Sequence, residues 1–173
     1  CPSDCGCHHE DDSHLLQCPH TNRQALYAKL VLDLRKIFSR HHVDPWLRQI
    51  LLSGIAEVHQ PTRFNLAALT PPYRALATGQ SRLGPLALFY GIFHHSWIPL
   101  QEAYLRTVHK PTDRNQGRRA IESIALHFQA AARAQWDLRN LHLHAKHDGL
   151  QPYARTLLSE DIRLIYEKLP DIL

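Results

Sequence analysis

All four cysteines of this 173-residue chain lie within its first 18 residues, at positions 1, 5, 7 and 18. A disulfide framework would spread its cysteines along the chain to join distant parts of the fold. Clustered cysteines with histidines between them are instead typical of metal ligands in a reducing compartment, although they could also be solvent-exposed thiols. Residues 1–20 are too short and too polar to bury a core. We therefore predict that this segment folds around one zinc ion.

The spacing of these residues indicates which of them bind the metal. Short pairs of cysteine and histidine supply zinc ligands in twos from a single turn of the chain. One helical turn would place His14 and Cys18 on the same face. The predicted ligands are Cys1, Cys5, His14 and Cys18, with Cys7 and His20 as substitutes if the register differs. A site with four protein ligands would be structural and not catalytic.

The rest of the chain, residues 21–173, shows the apolar periodicity of helices and no sustained two-residue alternation. The sequence therefore predicts an all-α fold, a helical bundle preceded by the small zinc-binding knuckle. Asp44-Pro45 is predicted to start a helix. Pro71-Pro72 is predicted to break the chain of helices, and Pro99 to kink the helix that contains it. The other predicted helices span about 22–40, 83–108, 116–145 and 152–169.

The composition limits the classes of function. With 44% hydrophobic and 21% charged residues, the chain is expected to be neither disordered nor a membrane protein. A formal net charge of +4 permits binding to nucleic acid without demanding it. The lack of methionine, the start at Cys1 and the apolar end predict a piece of a longer protein. The reducing compartment that the clustered cysteines indicate predicts a location in the nucleus or cytoplasm.

A second group of candidate residues lies near the end of the longest predicted helix. Arg139, Asn140 and His144 resemble the signature of HEPN-type ribonucleases. In that family the histidine acts on the ribose hydroxyl and the arginine stabilises phosphate charge, without metal. The resemblance implies a metal-independent ribonuclease. The alternative is that Arg139 and Asn140 brace the helix end, where a cation complements the helix dipole.

Three stretches of the sequence, taken in their order along the chain, carry a second resemblance. The first is the Cys1/Cys5 pair with residues 10–20, and the second runs from Gln80 to Tyr104 through Phe89-Tyr90-Gly91, Trp97 and Gln101. The third is the Trp136–His144 element followed by residues 158–166. Together they resemble the C-terminal region of non-LTR-retrotransposon-like reverse transcriptase proteins of the protist and algal type. The chain departs from that pattern in the Cys-x3-Cys spacing, in the extra Cys7 and in Ala145.

The resemblance implies that the polymerase and any endonuclease lie in other domains of a longer parent protein. This chain would then be a zinc-containing accessory domain, non-catalytic in itself, that contacts RNA or DNA and no membrane. The candidate contacts are Arg23, Lys29, Arg35, Lys36 and Arg40 on the first long helix, and Arg114, Arg118, Arg119 and Arg133 on the last. These residues could instead form a solvated helix face, and the whole chain a structural or protein-interaction domain.

Overall fold

The computed structural model describes residues 14, 17–59, 66–84, 86–108 and 115–145, and within these ranges all regular structure is helical. The five α-helices of this part are α1 (Thr21–Arg40), α2 (Pro45–His59), α3 (Pro71–Arg82), α4 (Trp97–Val108) and α5 (Gln116–Ala145). A short 3-10 helix, Leu66–Ala68, precedes α3. The all-α prediction is confirmed for this part of the chain. The helix predicted over 152–169 lies outside the described residues.

The starts of the helices follow from residues just before them. The carboxylate of Asp44 accepts a hydrogen bond from the backbone N–H of Trp46 at 2.7 Å, and Pro45 opens α2 as predicted. At α1 the ring nitrogen Nδ1 of His20 accepts from the N–H of Asn22 at 3.3 Å. Pro71 and Pro72 begin α3, because the first helical turn needs no N–H from either residue. The predicted break is thus a helix start.

The prediction of one helix over 83–108 is wrong. The chain forms turns between Gly84 and Ser96, and α4 begins only at Trp97. Gly84 and Gly91 adopt φ angles of +90° and +73°, which are incompatible with a right-handed helix. Pro99 therefore lies in the first turn of α4, where it causes no kink.

The core lies where α5 packs against α1 and α4, its two most extensive partners. Phe128 of α5 is fully buried and meets Phe89 and Phe93 edge-on, at ring-centre distances of 5.3 and 6.2 Å. The two helices α4 and α5 approach closely at Gly117. A Cβ atom there would lie 3.0 Å from the backbone nitrogen of Glu102. The glycine is therefore required for this helix–helix contact.

Three glutamine side chains join elements that are distant in sequence. Gln80 of α3 accepts hydrogen bonds from Nε1 of Trp97 and the N–H of His94, both at 2.9 Å, and donates to the carbonyl of Ile92. Gln101 of α4 accepts from the N–H of Asp44 and donates to the carbonyl of His42. These two amides hold the turn segment and the α1–α2 connection on the helices.

The third amide, Gln135 of α5, donates to the carbonyl oxygen of Arg23 near the start of α1 at 3.2 Å. The end of α1 leads into Asp44, whose N–H is held by Gln101 of α4, and α4 meets α5 at Gly117, close to the start of α5. The start of α1 thus lies near Gln135 and its end near the start of α5, so the two helices run in opposite directions. No helix in the described part of the chain is both long enough and apolar enough to cross a membrane.

Candidate metal ligands and nucleic-acid interface

Two of the four predicted zinc ligands are described by the structure. The N–H of Cys18 donates to the carbonyl oxygen of His14 at 2.8 Å, which is the hydrogen bond of one α-helical turn. This backbone arrangement suits a ligand pair of this spacing. Cys18 is also buried, as a ligand of a closed structural site must be. His14 and Cys18 therefore fit the predicted role.

The other sulfur ligands, Cys1, Cys5 and Cys7, lie outside the described residues. Within the described ranges no three side chains of ligand type come together as a metal site. The complete ligand set therefore stays a prediction.

His20, the substitute ligand, has a different role in the structure. Its Nδ1 accepts the hydrogen bond that caps α1, so the lone pair of this nitrogen is already in use. Capping α1 and binding zinc through Nδ1 are therefore competing uses of this nitrogen, and His14 is the better candidate.

The predicted basic residues of α1 divide into two groups. Arg23 is only 1% exposed, so it is not part of any outer face and is removed from the candidate contacts. The other four cations are exposed: Lys29, Arg35, Lys36 and Arg40. We call these four the α1 basic face: Lys29, Lys36 and Arg40 lie on one side of the helix, and Arg35 lies about 120° around the helix axis from Lys29. The prediction that Arg23 lies at the surface is wrong, because its side chain is buried near the contact between α1 and α5.

A single carboxylate, Asp33, accompanies the α1 basic face. It accepts hydrogen bonds from Lys29 at 2.5 Å and from Lys36 at 2.8 Å. These bonds, led by the one from Lys29, lower the pKa of Asp33 to about 2. One carboxylate shared between two lysines leaves the face strongly positive. In the described part of the chain, Arg35 and Arg40 form no ion pair.

The basic residues of α5 are closer to neutral as a group. Nε of Arg118 lies 2.7 Å from Glu122, and Nε of Arg133 lies 2.9 Å from Asp137, each pair spanning one helical turn. Arg119 is exposed, and Arg114 lies outside the described residues. Of these two helices, α1 therefore carries more positive charge that is not matched by a carboxylate.

The residues of the ribonuclease-like motif lie in the last three turns of α5. The guanidinium carbon of Arg139 is 4.8 Å from the ring centre of Trp136, a cation–π distance. Asn140 is half-buried, and the side chain of His144 lies outside what the structure describes. The arginine thus has a structural role on its own helix, which agrees with the bracing alternative.

A basic groove between α3 and residues 94–96 was not predicted from the sequence. It has a volume of about 590 Å³ and includes Arg74, Gly79 and Arg82 on one side and His94 and His95 on the other. We call it the α3 groove. The sequence interpretation treated His94 and His95 as surface residues. The only signal was the spacing of Arg74 and Arg82, which places them on one face of a helix.

The chain matches no protein-family model, no curated protein and no solved structure. The resemblance to retroelement proteins therefore rests on the sequence motifs alone. The structure gives a physical role to part of the second motif, since Gln80, Trp97 and Gln101 are buried and two of the three meet in one hydrogen bond. Residues of this kind support a fold and do not by themselves specify a function.

Proposed function

We propose that this chain is a zinc-containing accessory domain that binds RNA or DNA through the α1 basic face and is non-catalytic in itself. The observation that carries the proposal is the charge of α1, where four exposed cations accompany one carboxylate. The domain would belong to a longer retroelement protein whose other domains perform the chemistry. The sequence resemblance, and not the structure, is the basis for that last step.

The proposed contact is with the phosphate backbone. Lysine and arginine side chains that are exposed along a helix neutralise phosphates and release their counterions, which favours binding to any sequence. Exposed cations without carboxylate partners contribute most, because they have no ion pair to break. Arg35 and Arg40 meet this condition in the described part of α1. Binding with little sequence preference is therefore expected.

The zinc would organise the segment that precedes α1. Cys18 lies three residues before the helix and is buried, and His20 caps its first turn. A metal bound to His14, Cys18 and two earlier cysteines would fix residues 1–20 against the start of α1. Its contribution is structural: it replaces the core that so short a segment cannot form.

The first prediction concerns the salt dependence of binding. In the Arg35→Ala/Arg40→Ala double variant, we expect the slope of log affinity against log salt to become less steep by roughly 0.7 per lost cation on a single strand. The measurement is fluorescence anisotropy of a labelled oligo(U) of about 12 nucleotides, between about 50 and 200 mM NaCl.

The matched control is Arg106→Ala, which removes an exposed arginine from α4 and is compared with the single variants Arg35→Ala and Arg40→Ala. Its slope should equal that of the unmodified chain. Equal effects of the three single variants would show that net charge alone matters, and the α1 interface would be wrong. Cleavage of the oligonucleotide that disappears in Arg139→Ala would contradict the non-catalytic proposal and favour the metal-independent ribonuclease.

The second prediction concerns metal content. We expect one zinc ion per chain in freshly reduced protein and loss of that zinc in Cys18→Ser, measured by elemental analysis. The control is His20→Asn, since asparagine also caps helices, and this variant should keep its zinc. Full zinc content in Cys18→Ser, or none in the unmodified chain, would overturn the site. Zinc loss in His20→Asn would instead make His20 a ligand.

A further inference from the structure

The α3 groove is lined on one side by a single face of α3. Arg74 and Arg82 lie two turns apart on this face, with the small residues Ala75 and Gly79 between them. The small side chain of Ala75 leaves room along the helix, whereas the space beside Gly79 is occupied by the ring of His94. The residues that line it include no aspartate or glutamate in the described part of the chain. An anion in the groove would therefore meet cations without repulsion.

The two arginines differ in how they are held. Arg74 donates to the carbonyl oxygens of Leu66, Ala67 and Leu69 at 3.2, 3.3 and 2.9 Å, so its guanidinium is fixed in position but keeps its full charge. Arg82 is exposed in the last turn of α3 and forms no ion pair within the described ranges. One fixed cation and one adjustable cation at the edge of a groove suit a phosphate group.

The opposite side of the groove is a pair of aromatic rings. The ring centres of His94 and His95 are 4.1 Å apart, and His94 packs so closely on Gly79 that a Cβ atom there would lie 2.5 Å from the ring. The N–H of His94 donates to the buried Gln80, which fixes the backbone. His95 is the exposed member of the pair. Histidine rings presented in this way can stack on a nucleic-acid base.

We infer that the α3 groove binds one nucleotide of a single strand, with its phosphate at Arg74 and Arg82 and its base against His95. This inference rests on the proposed nucleic-acid binding and adds a second contact, separate from the α1 basic face. It also gives the domain a preference for single-stranded over double-stranded nucleic acid, because a paired base is not available for stacking.

The test uses the whole chain and the same labelled oligo(U). We expect Arg82→Ala to weaken binding severalfold and His95→Ala to weaken it about tenfold, since stacking of a base on an aromatic ring contributes in that range. Arg106→Ala, which removes an exposed arginine outside the groove, should bind like the unmodified chain. A duplex of equal length should bind His95→Ala and the unmodified chain equally.

Uridine monophosphate and inorganic phosphate, followed by NMR at the amides of Gly79 and Ser96, distinguish the sources of the phosphate. Shifts with the mononucleotide that exceed those with phosphate would support the nucleotide site. If Arg82→Ala and His95→Ala bind oligo(U) like Arg106→Ala, the groove inference is wrong, while the Arg35→Ala/Arg40→Ala result still decides the proposed function. Mononucleotide binding without any oligonucleotide binding would overturn both.

Discussion

Replacement of Trp97 by alanine is expected to lower the free energy of unfolding by about 3–5 kcal/mol, the range for removing a large buried aromatic side chain. Trp97 is 1% exposed and packs edge-on against Phe93 at 5.4 Å. Its indole N–H also donates to Gln80, which in turn holds the N–H of His94. The variant loses both the buried apolar surface and the hydrogen bond that joins α4 to α3. Urea unfolding followed by far-UV circular dichroism measures the loss.

Trp46→Ala provides the comparison, because Trp46 is 37% exposed, with its ring centre 6.3 Å from that of Tyr73 on α3. Its loss should be smaller, about 1–2 kcal/mol, because less apolar surface is removed from the interior. Trp97→Phe keeps an aromatic ring and removes the N–H donor, so an intermediate loss is expected. If Trp97→Ala and Trp46→Ala have equal effects, the packing described around Trp97 is incorrect.

Replacement of Asp44 by alanine has the next largest expected effect, a loss of about 2–3 kcal/mol in the free energy of unfolding. Asp44 is 1% exposed and caps α2 through the N–H of Trp46. Its other carboxylate oxygen accepts a hydrogen bond from the hydroxyl of Tyr73 on α3. Burial, together with this bond, raises the pKa of Tyr73. The variant removes the cap and leaves the hydroxyl without its acceptor.

Two comparisons separate these contributions. Thr70 precedes Pro71 as Asp44 precedes Pro45, but its side chain makes no capping bond, so Thr70→Ala should change stability by less than about 0.5 kcal/mol. A double-mutant cycle of Asp44→Ala with Tyr73→Phe isolates the carboxylate–hydroxyl bond. Additive losses in that cycle would show that the bond contributes nothing, and the effect of Asp44 would then reduce to capping.

The elements that the sequence predicted well are those with local signals. Asp44 and Pro45 mark the start of α2 because the capping carboxylate and the proline act within one turn. The 30 residues of α5 were predicted with the bounds Gln116–Ala145, since a long amphipathic stripe with no proline, and with glycine only at its second residue, has no competing structure. In both cases the determinants lie within the element itself.

The segment between α3 and α4 could not be predicted because its determinants are distant in sequence. Phe89, Phe93 and Trp97 are spaced as on a helix, yet only Trp97 lies in one: Phe89 is buried from a turn, and Phe93 is partly buried from the irregular chain that follows it. The side chain of Gln80 holds these turns through bonds that span 12 to 17 residues. Gly91, with its positive φ, packs against Gln129 of α5. The periodicity of apolar residues indicates which side chains are buried. Here it did not indicate the backbone conformation that buries them.

The candidate sites also divide into features with local determinants and features that depend on residues distant in sequence. The turn between His14 and Cys18 follows from spacing, and the structure has its hydrogen bond. The burial of Arg23 depends on α5, more than 100 residues away, where Gln135 contacts its carbonyl. The α3 groove depends equally on the fold, since His94 meets Gly79 only after the turn segment folds back. No local pattern contains that information.

The helix α5 extends beyond the point where α1 begins. Gln135 lies beside Arg23, yet α5 continues for ten more residues, or about 15 Å, past the start of α1. Trp136 directly follows Gln135, and 44% of its surface is exposed. Its indole is therefore a fluorescent probe close to the start of α1. Its emission should change when zinc binds the cysteine-rich segment, whereas the buried Trp97 should not respond, and the exposed Trp46 contributes a constant background.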